Sequence, residues 1–212
     1  MADRARALIP DRYALQGAAV CVATAGGPRQ QILRPTELED QALHRDLHRE
    51  VLLGDQAVFD STQGVKPRIE GQAILLEQPR ASLLVDSLGS VGLVQPATDP
   101  GSSGLPALIE EDVADRVVRS LRLTAWVFDR IDPVRRLSHV VPVVALLSAA
   151  YMGWRTRSEH AGSPNSMQMP MNVGDRVLVA LTPAARPRAS LTYEARELTE
   201  DLVALLRRAY KA

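Results

Sequence analysis

The strongest constraint on the fold is an almost uncharged stretch near the middle of the chain. Residues 137–154, LSHVVPVVALLSAAYMGW, contain no Asp, Glu, Lys or Arg, so this segment has to be covered on every side. We interpret it as a helix that begins after Asp132 and Pro133 and forms the middle of the core or half of an oligomer interface. Pro142 and several polar residues interrupt it, and it falls short of the roughly 20 apolar residues of a membrane span. No membrane partner is therefore predicted.

The polarity changes abruptly where this stretch ends. The following residues, RTRSEHAGSPNS, are nearly all polar or small. Arg guanidinium groups favour bidentate binding of phosphate or carboxylate, and a Trp ring offers a stacking face. The segment therefore supplies the candidate anion- or nucleic-acid-binding residues Trp154, Arg155, Arg157 and Asn165.

The same segment contains the two weak candidates for catalysis. Glu159 and His160 are adjacent and are able to act as an acid-base pair if a substrate lies within hydrogen-bond reach. The pattern favours a plainer interpretation, in which a helix ends here, its last arginines bond carbonyls and Glu159, and a Gly-Ser-Pro-Asn turn follows. No catalytic residue is assigned on this basis.

Metal and cofactor sites are not predicted. His44 and His48 are four residues apart and share a helix face, which makes them weak candidate ligands. The sequence HRDLH lacks the Glu of the HExxH zinc motif, and no third ligand is identifiable. The single cysteine, Cys21, excludes an internal disulfide and a Cys-based zinc site. No motif for a nucleotide cofactor is present either.

Composition limits the partners that the whole surface can attract. Lys and Arg together number 25, as do Asp and Glu, so the formal charge is zero and there is no overall field for nucleic acid or anionic membrane. Any such contact has to come from a local patch. The excess of Arg over Lys is typical of a GC-rich, for example bacterial, genome. The N-terminus has no export signal, and a single cysteine fits the cytoplasm.

The first half of the chain is predicted to be rich in strands. Short Val, Leu and Ile runs between turn residues over 69–97 predict an antiparallel β-meander of three strands. A buried strand is expected at 17–24 and a smaller one at 56–59. Between them, residues 36–53 predict a helix capped by Thr36.

The second half is predicted to be led by helices. Residues 98–104, TDPGSSG, form a candidate internal boundary, although one domain over 1–212 is the simpler organisation. Long helices are expected from about 106 to 154, then a β-hairpin with strands at 176–182 and 189–193, then a helix over 194–210. The chain is therefore predicted to be an α+β protein.

Two hypotheses for the function follow. The first is a non-catalytic intracellular binding or assembly module that associates with protein partners or with itself. In this hypothesis, a local group of arginines is a candidate contact to phosphate or nucleic acid. The hypothesis depends on the lack of a catalytic motif, on the apolar stretch and on the methionine-rich residues 167–171. The alternative is an enzyme of unrecognised type that acts on an anionic substrate with Glu159 and His160.

Overall fold

The computed structural model of the chain describes residues 1–10, 17–27, 30–98, 107–150, 152–166 and 176–212. The helices within these ranges are α1 (Ala2–Ala7), α2 (Pro35–Leu38), α3 (Gln41–Leu53), α4 (Glu110–Ile131), α5 (Arg157–Gly162), α6 (Ser190–Tyr193) and α7 (Ala195–Lys211). The strands are β1 (Ala19–Gly26), β2 (Arg68–Glu70), β3 (Ala73–Gln78), β4 (Ala81–Asp86), β5 (Ser90–Pro96), β6 (Ala107–Ile109), β7 (His139–Leu147), β8 (Gly153–Arg155), β9 (Arg176–Ala180) and β10 (Arg186–Pro187). The α+β class is thus confirmed.

The main sheet is antiparallel and is centred on β1. Its order is β10-β7-β1-β5-β4-β3-β2. Strand β9 also pairs with β7, on the same edge as β10. The predicted meander corresponds to β3, β4 and β5, which pair in succession. At the turn between β4 and β5, Gly89 has a φ of 70°, and a side chain there would meet Leu137 at 2.7 Å. The turn therefore requires glycine both for its backbone and for its packing. A second, small sheet joins β6 and β8 in parallel.

The apolar stretch is a central strand, so its predicted helix is wrong. His139–Leu147 forms β7, which pairs with β1 along one edge and with β9 and β10 along the other. All its residues except His139 are buried. A strand covered on both faces has a continuous apolar sequence, and periodicity cannot distinguish it from a buried helix. The β-branched residues Val140, Val141, Val143 and Val144 were the signal for a strand.

Pro142 shows how a proline is accommodated in this strand. It lies opposite Thr24 of β1. On the other edge, β10 pairs with His139 and Val140, and β9 pairs with residues 143–147. On this edge Pro142 belongs to neither pairing, so its missing N–H group costs no hydrogen bond to β9 or β10.

The sheet has two unlike faces. On one face, α3, α4 and α7 build the larger apolar core; Val113, Val117, Leu121 and Phe128 of α4 are fully buried there. These residues recur at helical spacing and form the apolar stripe of α4. The other face consists mainly of small residues, including Ala19, Cys21, Ala23, Ala25 and Ala145, and α1 packs against it.

Several predicted boundaries are corrected by the structure. Thr36 does not cap a long helix, because Pro35 begins the short α2 and Asp40 caps α3 by accepting a 2.9 Å hydrogen bond from Ala42 N–H. Residues 56–59 form no strand. The predicted hairpin is wrong: β9 pairs with β7, and the segment predicted as its partner contains α6. The pattern could not show that β9 and β10 both pair with β7, a strand much earlier in the chain.

Two predicted features fall largely outside the described residues. The candidate boundary at 98–104 is described only at Thr98, so the division into domains stays a prediction. Met167, Met169 and Met171 also lie outside. Within the described ranges, no helix combines the length and the hydropathy that crossing a membrane requires.

The buried cysteine allows a direct test of the core. Burial raises the pKa of Cys21 from 9.0 to about 12, against a smaller lowering by the charge of Arg176. Since the thiolate is the reactive form, we expect the native protein to react with a thiol-exchange reagent near pH 8 about 10³-fold more slowly than the urea-unfolded chain. Stopped-flow absorbance measures both rates. Similar rates would contradict the placement of Cys21 inside the sheet.

Candidate functional site

The polar segment after Trp154 begins a helix and does not end one, contrary to the plainer interpretation of its sequence. Strand β8 ends at Arg155, and Thr156 caps α5. The Thr156 hydroxyl accepts a hydrogen bond from Glu159 N–H at 3.2 Å, and the Glu159 carboxylate accepts one from Thr156 N–H at 2.7 Å. This reciprocal capping box fixes the direction in which the chain leaves β8.

A polar recess lies beside this cap, and we call it the Arg155 recess. Its lining residues are Trp154, Arg155, Glu159, Gly162, Ser163, Ser166 and Lys211, and its volume is about 440 Å³. The Arg155 guanidinium donates to the Ser163 carbonyl at 2.7 Å and to the Ser166 hydroxyl at 2.9 Å. A guanidinium has five N–H groups, so these two bonds orient Arg155 and leave donors for a ligand.

The charge of the recess is determined by three side chains. Arg155 and Lys211 are cationic. The hydrogen bonds from Thr156 lower the pKa of Glu159, and the charges of Lys211 and Arg155 lower it further. Glu159 is therefore ionised at neutral pH, and the three side chains together carry one positive charge.

Of the other predicted anion-binding residues, Trp154 lines the recess but is buried, and neither Arg157 nor Asn165 lines it. Arg157 donates to the Asp112 carboxylate at 2.6 Å. Trp154 is only 7% exposed; its indole N–H donates to Glu110 at 2.7 Å, and its ring centroid lies 5.7 Å from that of Tyr210. Asn165 is exposed and is not among the residues that line the recess. Arg155 is thus the predicted arginine that faces the recess.

The candidate acid-base pair does not converge on one cavity. Glu159 lines the recess, but its carboxylate is bonded in the capping box. His160 is half-buried and does not line the recess. Its Nδ1 is buried and has no hydrogen-bond partner among the described residues. The two side chains therefore lack the shared approach to a substrate that proton transfer requires.

The two histidines of α3 are not arranged as a metal site. His44 donates its Nε2 proton to the Leu38 carbonyl at 2.6 Å, which leaves Nδ1 as the one nitrogen of that ring able to bind a metal. His48 lies one turn later and is half-buried. Across the described part of the chain, no group of three or more His, Cys, Asp or Glu side chains is placed to hold a metal ion.

A second cavity, which the sequence did not indicate, lies at the C-terminal end of α4. We call it the Arg188 pocket. Its volume is about 300 Å³, and its lining residues are Ala125, Asp129, Arg135, Leu137, Ser138, Pro187, Arg188, Ala189, Thr192 and Tyr193. These residues come from α4, the segment before β7, and the segment from β10 to α6. The one sequence signal was the DPVRR sequence at 132–136, where arginines follow a helix end.

Two residues that line this pocket, Asp129 and Arg188, belong to a network of ion pairs around Asp132, which is fully buried. Arg188, only 8% exposed, donates to the Asp132 carboxylate at 3.0 Å and to Asp129 at 2.6 Å. Arg136 donates to the other Asp132 oxygen at 3.0 Å, and Leu137 N–H donates to Asp132 at 2.8 Å. Burial raises the pKa of Asp132, but hydrogen bonds from Leu137 and Arg136 and the charge of Arg188 outweigh it, so the net pKa is lowered.

Arg135, at the opening of the pocket, has an unusual backbone conformation. Its φ is 56°, in the left-handed region that costs a non-glycine residue about 1–2 kcal/mol. Its side chain is exposed, and it has no hydrogen-bond or ion-pair partner among the described residues. The fold therefore holds an unpaired guanidinium in a strained position.

Comparison with known proteins adds no functional assignment. The chain matches no protein-family model, and no curated protein or solved structure is significantly similar to it. The two cavities and the side chains that line them are therefore the basis for assigning a function.

We expect the carboxylate of Asp132 to be a major contributor to stability. Replacing it in Asp132→Asn leaves the buried Arg188 charge poorly compensated, which should lower the free energy of unfolding by about 3 kcal/mol at pH 7. Urea titration measures this loss. The matched control is Asp115→Asn, which breaks the half-exposed pair with Arg119 on the same helix and should change stability by less than about 1 kcal/mol.

The pH dependence follows from the lowered pKa of Asp132. Its contribution is complete above the ordinary pKa of 3.8 and is lost as the pH falls through the lower value of the folded state. The difference between wild type and Asp132→Asn should therefore stay constant above about pH 5 and shrink below pH 3.8. If the difference in the free energy of unfolding stays unchanged down to about pH 2.5, the lowered pKa of Asp132 is contradicted.

Proposed function

We propose that the chain is a non-catalytic binding module that associates with a protein partner and accepts an anionic group of that partner in the Arg155 recess. The observation that supports this most directly is that Arg155 and Lys211 face one polar recess together with Ser163 and Ser166. Two cations and two serine residues form an environment suited to a carboxylate or a phosphate.

The hydrogen bonds of Arg155 strengthen the proposal. Its bonds to Ser163 and Ser166 hold the guanidinium in place before any ligand arrives. A side chain that is already ordered loses less conformational entropy when it binds. Glu159 lines the same recess and is ionised, so the recess keeps one net positive charge and should favour an anionic group over a neutral one.

A protein partner is better supported than nucleic acid. Nucleic-acid binding usually requires a row of cations and stacking faces. Here the formal charge is zero, Trp154 is buried against Tyr210 and Arg157 is paired with Asp112. One available arginine and one lysine match a single anionic group better than a phosphate backbone.

Self-association through the apolar stretch loses its basis. Residues 140–147 lie inside the main sheet and are all buried, so they offer no surface to a second copy. The enzyme alternative has less support than binding, because Glu159 is ionised and bonded in a cap. His160 does not line the recess, and the thiol of Cys21 is buried.

Thermal unfolding with simple anions tests the recess. At a sulfate or phosphate concentration tenfold above the dissociation constant, binding adds about 1.4 kcal/mol and raises the melting temperature by about 3–5 °C. The reference is sodium chloride at equal ionic strength. We expect Arg155→Gln and Lys211→Gln to lose this anion-specific increment, whereas Arg157→Gln, which changes an arginine outside the recess, should retain it.

The class of partner is tested separately. Fluorescence anisotropy measures the binding of peptides with a central phosphoserine or glutamate, and of short mixed-sequence DNA and RNA. Light scattering of the chain alone measures its oligomeric state. We expect peptide binding that depends on Arg155. Nucleic-acid binding that survives Arg155→Gln, or equal anion increments in all variants, would overturn the proposal.

A further inference from the structure

The Arg188 pocket contains one charge that the fold does not compensate. Asp129, Asp132, Arg136 and Arg188 form connected ion pairs with two negative and two positive charges. Arg135 lines the same pocket, and no acidic partner is assigned to it among the described residues. The pocket as a whole therefore has one excess positive charge, which complements a ligand with one negative charge.

The backbone conformation of Arg135 is unfavourable for an arginine. Its φ of 56° suits Gly or Asn much better than Arg. The guanidinium makes no internal contact that explains the strain, since it has no hydrogen-bond or ion-pair partner in the described part of the chain. Strained residues of this kind concentrate at binding sites, where the ligand uses the side chain.

The rest of the pocket is suited to an apolar group. Ala125, Leu137, Pro187 and Ala189 form much of its lining. Tyr193 lines the pocket and is 85% exposed as a residue, the highest exposure among the large hydrophobic residues described. Val134, adjacent in sequence to Arg135, is 73% exposed. Exposed apolar side chains around a cavity are typical of a binding site.

From these observations we propose that the Arg188 pocket binds a small organic acid with a single carboxylate and an apolar body about the size of one ring. The carboxylate pairs with the guanidinium of Arg135, and the body lies on the apolar lining against the ring of Tyr193. A volume of about 300 Å³ is at the lower end of the range for ligand pockets, which limits the body to that size.

This inference is independent of the function proposed above. The Arg188 pocket and the Arg155 recess have no lining residue in common. The pocket selects an apolar body as well as a charge, whereas the recess is polar and accepts a bare anion. Failure of one proposal therefore leaves the other unaffected.

The test compares an acid with its uncharged analogue. 3-Phenylpropanoate and 3-phenylpropanamide have the same body, and only the acid can form an ion pair with Arg135. Isothermal titration calorimetry and NMR shift titration should give the acid a dissociation constant on the order of 1 mM or tighter. The amide should bind at least about tenfold more weakly, since a hydrogen bond between charged groups is lost.

Substitution at Arg135 separates binding from folding. Asn tolerates positive φ, so Arg135→Asn should fold with an unchanged or higher melting temperature while it weakens the acid about tenfold or more and leaves the amide unchanged. Tyr193→Ala should weaken both ligands several-fold. The matched control, Arg45→Gln, removes an exposed arginine on α3 outside the pocket and should bind both ligands as wild type does.

The same chemistry could come from the C-terminal residue of a protein. A tetrapeptide ending in phenylalanine, with its C-terminal amide as control, distinguishes the two sources: tighter binding of the peptide assigns the site to a protein terminus, and tighter binding of the free acid to a small molecule. The proposal is overturned if neither acid binds at about 10 mM, if acid and amide bind equally, or if Arg135→Asn binds the acid as wild type does.

Discussion

The buried carboxylate of Asp132 joins parts of the structure that are far apart in the sequence. It lies at the C-terminal end of α4 and accepts a hydrogen bond from Leu137 N–H just before β7. Through Arg136, which also donates to the Ile32 carbonyl, it connects to the segment that precedes α2. Through Arg188 it connects to the segment between β10 and α6. A buried ion is stable only when its partners are in place, so these segments have to adopt their positions together. They form both the start of β7 and the wall of the Arg188 pocket.

Sequence analysis predicted well the elements with one exposed face and the short strands whose ends are marked by turn residues, which include the fully buried β1. Helices α4 and α7 have apolar residues at helical spacing and charges opposite, and the meander has short strands separated by turns, so local periodicity was sufficient. Strand β7 is covered on both faces and has no such alternation, and its type is decided by pairing with β1. The position of β9 and β10 beside it depends on tertiary contacts that no local pattern contains.

The two cavities also differ in how far the local sequence could predict them. The Arg155 recess is built mostly from one continuous segment, so the change of polarity after Trp154 pointed to Arg155, Glu159 and their neighbours. The sequence Thr156-Arg-Ser-Glu159 is also a capping-box pattern, which indicates a helix beginning where we had expected an end. The Arg188 pocket assembles three segments that are distant in the sequence. Its one unusual local feature, the positive φ of Arg135, cannot be inferred from the residue type.

Arginine is almost the only basic residue in this chain, and its surroundings decide what each guanidinium does. Arg188 is nearly buried, and two carboxylates compensate its charge, so it stabilises the fold. Arg155 is oriented by two neutral oxygens, which direct its donors without neutralising it. Arg135 is exposed and has no partner among the described residues. Since a guanidinium keeps its charge at every accessible pH, what distinguishes these roles is whether a carboxylate neutralises the charge. Arg135 and Arg155 line the two cavities without such a carboxylate partner among the described residues.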